Sequence, residues 1–222
     1  MAKELEELPL FPLNMVLFPF ASARLHIFED RYREMIRRCL EFDRSFGIVL
    51  IRSGSEVDSH VDPYMVGTVV RIDDVYTYDD GRMDIKVEGT RRFRIRELDE
   101  SRSYLVGKVE PVIEHDMEES DRATELITRA REDFEVLVQR LFSPQGFSVQ
   151  VMFPPDAMTL SFTIANMLQM ENLEKQKMLE TTDTLERVEE LIPIIQTQIL
   201  QSHQSARVRV TGADLKEWIS PN

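Results

Sequence analysis

A histidine followed at three and four residues by two carboxylates could hold a divalent metal or pass a proton. The stretch "LHIFEDRYREM" at residues 25–35 offers such a set in His26, Glu29 and Asp30. What these groups are for is decided by the spacing downstream. Tyr32, Met35, Ile36, Cys39 and Leu40 recur at i, i+3, i+4, i+7 and i+8, with Arg31, Arg33, Glu34, Arg37 and Arg38 between them. That pattern predicts an amphipathic helix. Glu29 and Asp30 then fall at its cap or first turn, where a carboxylate stabilises the free N–H groups and the positive dipole end by ~0.3–1 kcal/mol. His26 lies ahead of the helix, so it cannot share a helix face with Glu29 as an H-E-x-x-H metal pair must. The group reads as a helix start, and no metal site is expected.

Other chemistry meets the same kind of test. The chain has no G-x-x-x-x-G-K-[ST] phosphate loop, no G-x-G-x-x-G and no G-x-S-x-G elbow. Its single cysteine, Cys39, falls on the apolar face of the expected helix, which suits a buried small hydrophobe better than a nucleophile. The acidic pairs Asp73-Asp74 and Asp79-Asp80 are expected to be solvated, the second in a turn. His26, His60, His115 and His203 show no ligand spacing. A non-catalytic protein, with neither cofactor nor metal, is the expectation.

One cysteine excludes an internal disulfide and fits a reducing, cytoplasmic setting. The acidic start "MAKELEELPLFPL" lacks the basic and long apolar regions of an export signal, and no window approaches the ~18 apolar residues of a membrane span. The net charge of −13 argues against broad affinity for a polyphosphate backbone. Residues 1–113 carry 17 basic and 21 acidic side chains, a net of −4, whereas residues 114–222 carry 10 and 19, a net of −9. Two parts of different character are expected.

From Phe46 to about Ile113 the runs "FGIVLI", "VGTVVRIDDVYTY", "RMDIKVEG", "TRRFRIREL" and "YLVGKVEPVI" read as strands, with Asp80-Gly81 as a type I′ hairpin turn. A small barrel or sandwich follows from their number and spacing. Past "EHDMEES" the period changes to that of a helix. Ala123, Leu126, Ile127, Ala130, Phe134, Leu137, Val138 and Leu141 fall on one face. A second helix is expected after Pro154-Pro155, with Met158, Phe162, Ala165 and Leu168 inward, and a short third through "ENLEKQKMLE". Asp183 and Glu186 resemble a capping box before a last helix that Pro193 is expected to kink or divide.

Several of these strings, "LPLFPLNMVLFP" (8–19), "FGIVLI" (46–51), "VGTVVRI" (66–72), "VEGTRRFRI" (87–95) and "EKQKMLETTDTLERVEEL" (174–191), recur in order in one family. Over about residues 5–200 the chain resembles the N-terminal substrate-binding domain of Lon proteases, and in particular its stand-alone members. The resemblance implies an α+β fold: a PUA-like six-stranded β-barrel with an inserted helix over 1–115, a helical bundle over 116–202 and a tail at 203–222. In Lon proteases this domain helps recognise unfolded or tagged proteins, while an AAA+ module unfolds them and a Ser-Lys dyad cuts them. The sequence reaches Asn222 with no Walker motif, so neither of those activities is expected here.

The expected role is therefore protein interaction in protein quality control, as an adaptor or holdase-like factor. Unfolded polypeptide, or a specific partner such as a full-length Lon protease, is the expected ligand, with neither nucleic acid nor membrane. Phe18, Phe20 and Phe28, before the first helix, with Arg24 and Arg31 at the rim, are the expected contacts. An alternative is RNA binding through Arg92, Arg94 and Arg96, which alternate with Phe93 and Ile95 and would form a basic row facing away from the core.

Overall fold

The computed structural model describes residues 5–56, 61–115, 117–142, 149–202 and 219–221 of an α+β chain that divides into two units. The first is Met1–Ile113 with Met170–Glu180. It holds β1 (Glu6–Leu13), β2 (Ser22–Ile27), α1 (Asp30–Glu41), β3 (Ser45–Ser53), β4 (Asp62–Pro63), β5 (Val66–Thr77), β6 (Met83–Asp99), β7 (Val106–Pro111) and α4 (Asn172–Glu180). The second, Glu114–Gln169 with Thr181–Asn222, holds α2 (Asp121–Phe142), β8 (Val149–Val151), α3 (Ala157–Met167), α5 (Thr184–Ser202) and β9 (Ile219–Pro221). Among the described residues no helix is long and apolar enough to cross a membrane.

Seven strands, rather than the expected six, make the main sheet, β4 contributing only two residues. Pairing runs β1–β7–β6–β5–β3, and β3 returns to β1 in parallel from Leu10↔Gly47 to Leu13↔Leu50; the other pairings are antiparallel. β1 lies outside the stretch expected to be strands and carries two prolines, Pro9 and Pro12, which cannot donate to a ladder. Here β1 changes neighbours halfway along. Its first half, through Pro9, pairs only with β7, and its second half, with Pro12, only with β3. Each half has one bonded neighbour, which is what tolerates the prolines. Leu8, Leu10, Val49, Val69, Phe93, Ile95 and Val109 form a buried cluster inside this circuit.

Gly89-Thr90, expected to separate two strands, is a bulge within the single seventeen-residue β6. Val69 pairs with Arg91 and Val70 with Gly89, leaving Thr90 as the extra residue, its hydroxyl donating to the Val69 carbonyl at 3.0 Å. The Asp80-Gly81 hairpin forms, but not as a type I′ turn. Of the turn residues only Gly81 has positive φ, at 82°, and its N–H donates to the Tyr78 carbonyl at 2.9 Å. A β-turn from Tyr78 to Gly81 followed by the left-handed glycine closes this three-residue loop, which needs one such residue rather than two.

Helix α1 buries Tyr32, Met35, Ile36 and Cys39, with Leu40 half-buried, as the apolar spacing requires. Glu29 is its N-cap residue, but the carboxylate makes no cap bond and instead accepts from Arg31 Nε at 3.0 Å. Helix α4 belongs with the strands, whereas the expected division put all of 116–202 in one helical subdomain. It is held to them by polar ties at buried positions: Gln176 Nε2 donates to the Val66 carbonyl at 3.1 Å, and the Leu179 carbonyl accepts from Arg92 Nη1 at 2.6 Å.

In the second unit α2 and α3 pack on α5. Ala123, Ala130, Phe134, Leu137 and Val138 are the buried face of α2, with Leu126, Ile127 and Leu141 half-buried. On α3, Phe162 and Ala165 are buried, as is Leu168 beyond its end, while Met158 is half-buried. Asp183 caps α5 by accepting the N–H groups of Leu185 (2.8 Å) and Glu186 (3.1 Å). Of the kink or division expected at Pro193, division does not occur: α5 is one helix, and the exposed Pro193 carbonyl accepts the Thr197 hydroxyl at 2.8 Å. Strands β8 and β9 pair antiparallel.

Candidate functional site

The connection from β1 to β2 is tied down residue by residue in the first unit. Thr68 Oγ1 donates to the Leu17 carbonyl at 2.5 Å, Phe20 N–H to the Gly89 carbonyl at 2.8 Å, and Gly89 N–H to the Ala21 carbonyl at 2.8 Å. Phe20 takes a φ of 66°, a conformation that a bulky side chain adopts only when its surroundings impose it. The outcome for the expected contacts is divided. Phe18 is fully buried and Phe20 half-buried, so Phe18 offers a client no surface. It packs inward because the bonds on either side of it fix the chain against β5 and β6.

Phe28, by contrast, is 56% exposed. With Arg24, Phe11, Leu13, Leu25 and Tyr32 it lines a cleft of about 380 Å³ between the end of β1 and β2. Tyr32 is the floor: it is buried, its ring lies 4.2 Å from that of Phe11, and burial pushes its hydroxyl up to about 12. Arg31 braces the margin. Its guanidinium stacks 4.6 Å above the Tyr32 ring, while Nη2 donates to the Glu56 carbonyl at 2.7 Å and Nε binds Glu29. Arg24 is exposed and makes no ion pair among the described residues. Periodicity did not single out Leu25, Leu13 or Phe11; the alternation in "SARLHI" was the available signal for Leu25.

His26 is engaged from an unexpected direction. Its Nδ1 lies 2.6 Å from Asp84 Oδ1 on β6, and the Tyr78 hydroxyl donates to Asp84 Oδ2 at 2.6 Å. The Tyr78 bond first, then that of His26, holds the Asp84 carboxyl below the usual carboxylate range. This trio, with Tyr78 half-buried and His26 exposed, joins β2 to the β5–β6 hairpin, and Glu29 and Asp30 take no part in it. Among the described residues no group of three His, Cys, Asp or Glu could hold a metal; His60 and His203 lie outside them. Asp73 pairs with Arg71 at 3.3 Å, Asp74 accepts the Val75 N–H at 2.9 Å, and Asp80 pairs with Arg82 at 2.7 Å, which are turn and surface roles.

Cys39 is 3% exposed and burial pushes its thiol up to about 12. At about pH 8 it should resist iodoacetamide in the folded protein and react only after denaturation, as read by mass spectrometry, because the thiolate is the reactive form. Rapid labelling of the folded protein would place the thiol at the surface.

The arginine row expected for RNA does not form. Arg92 is 4% exposed and its bond to Leu179 in α4 turns it inward; Arg94 is half-buried, and Arg96 bonds Glu110 at 2.6 Å. A helix distant in sequence covers the strand face that alternation alone would leave open.

Residues 7–197 match the model of the ATP-dependent protease La (LON) substrate-binding domain. Curated relatives include the Lon protease of Heliobacterium modesticaldum, 28% identical over 215 residues, and that of Escherichia coli K12, 26% identical over 220; each match covers 92–93% of this chain. The chain spans about a quarter of the length of these relatives, 26% in both cases. Among solved structures, a Lon N-terminal domain protein from Xanthomonas campestris has a TM-score of 0.63 at 29% identity, covering 85% of this chain and 98% of that one. The N-terminal domain of Mycobacterium avium complex Lon protease, at 18% identity and a TM-score of 0.63 over 86% of this chain and 98% of its own, shares the fold. With the family match extending over most of its length, this chain belongs to the Lon substrate-binding domain family.

Proposed function

We propose that this chain is a non-catalytic interaction module that binds unfolded or partner polypeptide in the cytoplasm, as an adaptor or holdase-like factor, with a full-length Lon protease among its candidate partners. The closed circuit of pairings in the first unit is, in this reading, a PUA-like barrel, and α2, α3 and α5 are the expected bundle. The barrel carries the site. One observation bears most of the weight: Phe28, an aromatic side chain 56% exposed, stands at a cleft lined by Phe11, Leu13, Leu25 and Tyr32 together with Arg24, Glu29 and Glu56, with Arg31 bonded to both glutamate residues beside it. Aromatic and arginine side chains around a desolvated pocket are the usual anchors of protein contacts. Phe20, half-buried two residues ahead of β2, is not one of the residues that line this cleft.

A passive module needs modest affinity, and a Kd near 1 μM requires only about 8 kcal/mol net. Titrating a protein held unfolded by reduction and alkylation of its disulfides should give binding in this range. Phe28→Ser should weaken it by about tenfold, because covering the exposed part of one phenyl ring contributes on the order of 1–1.5 kcal/mol. Circular dichroism checks that the variant is folded. Equal affinity of wild type and variant would move the site away from this cleft.

A further inference from the structure

We propose that the cleft holds its client as an added β-strand, bonded backbone to backbone along the outer edge of β2, with a client carboxylate beside Arg24. This rests on the polypeptide-binding reading above and specifies its mode.

The first reason is an unoccupied ladder. From Ser22↔Glu88 to Ile27↔Met83, β2 pairs along its whole length with β6, and among the described residues no strand lies on its other side. In an antiparallel pair alternate residues turn their N–H and C=O groups away from the partner. Those of β2 therefore face an open edge. An extended backbone is the ligand that presents donors and acceptors at the same repeat.

The two off-circuit strands treat their edges differently. β4 is two residues long, contains Pro63, and meets β3 across a register shift between Ile51 and Ser53. Short length, proline and bulges are the usual defences of an edge against further pairing. β2 has six residues, no proline and an unbroken register. Its backbone is left fit to pair.

Side chains then define what would be read. Ser22, Arg24 and His26 are exposed, while Ala23 and Leu25 are half-buried and Ile27 is buried. A neighbouring strand shares the pleat, so residues opposite one another lie on one face. Alternate client side chains would enter the cleft beside Leu25 and Ile27, against Phe11 and Leu13. The others would lie beside Arg24 and His26. His26 already has Asp84, and Lys86, directly across from Arg24 in the register, has Asp74 directly across on its other side; Arg24 itself is exposed and makes no ion pair among the described residues. A carboxylate on the client would give Arg24 the partner it lacks. Alternating apolar and acidic residues are therefore the favoured pattern. Main-chain bonds are indifferent to side-chain identity, so the strand itself would be held across many sequences.

The test uses the full chain and a fluorescent peptide of about ten residues alternating valine and glutamate, read by anisotropy. Methylating every second peptide nitrogen in one frame should weaken binding by about tenfold or more, and in the other frame should leave it near the parent, because only alternate amides of a strand face its neighbour. Replacing glutamate by lysine should weaken binding several-fold, and Arg24→Glu should reverse that preference. If both methylated frames bind like the parent, the client is gripped by side chains alone and strand addition is overturned while polypeptide binding stands. If Arg24→Glu leaves the preference unchanged, the charge part is overturned. If neither the peptide nor the unfolded protein binds the folded chain, the polypeptide-binding reading itself fails.

Discussion

Arg187→Met should lower the unfolding free energy by about 3–5 kcal/mol, the cost of removing one member of a buried charged network. Arg187 is fully buried in the second unit, and all three guanidinium nitrogens are bonded. Nε donates to Ser161 Oγ at 2.8 Å and Nη1 to the Thr181 carbonyl at 2.7 Å; Nη2 reaches Thr184 Oγ1 at 3.1 Å and Glu114 Oε1 at 3.3 Å. The plane lies 4.0 Å from the Phe162 ring centre. Methionine fills much of the volume but removes the guanidinium bonds to Ser161, Thr181, Thr184 and Glu114. Lysine would keep the charge without the flat fork, so Arg187→Lys should fall between the two. Urea denaturation followed by circular dichroism gives the comparison. Because the pair is buried, about 0.5 M salt should change the difference little. A loss under about 1 kcal/mol for Arg187→Met would show that the network carries little of the unit's stability.

Gly89→Ala should cost about 3 kcal/mol and also remove client binding, although alanine adds only one methyl group. A Cβ at Gly89 would lie 2.4 Å from the Phe18 carbonyl oxygen and 3.1 Å from Thr68 Cγ2. The first obstacle is backbone, bracketed by the bonds of Leu17, Phe20 and Ala21, so it cannot step aside as a flexible side-chain end can. To admit the methyl, residues 17–21 must lift from β5 and β6, and β2 begins at the next residue, Ser22. The cleft would lose one wall. Gly81→Ala is the control: its φ of 82° makes alanine strained by about 1 kcal/mol, but the nearest atoms are ends of the Arg33 and Arg37 side chains at 3.2 and 3.3 Å. Thermal unfolding should therefore separate the two glycines clearly, and only Gly89→Ala should abolish binding of the unfolded protein. Comparable midpoints would mean that the 17–21 segment is softer than its bonds imply.

What the amino-acid order determined by itself was whatever depends on near neighbours. The face of α1 through Tyr32, Met35, Ile36 and Cys39, the Asp183 cap, the start of α2 near Asp121 and the loss of His26 as a partner for Glu29 all follow from spacing within a turn or two of chain, where periodicity and capping act. Tertiary structure decided everything that required a distant segment. It made Gly89-Thr90 a bulge, because residues 17–21 approach from seventy positions away, and let prolines into β1, because that strand exchanges β7 for β3 midway. It sent Arg92 under α4 and Phe18 into the core, while leaving Phe28 and Arg24 at the surface beside a free edge. Alternation along a strand says which residues share a face. Whether that face meets water, a helix or another strand depends on contacts made across the fold, and local pattern carries no record of them.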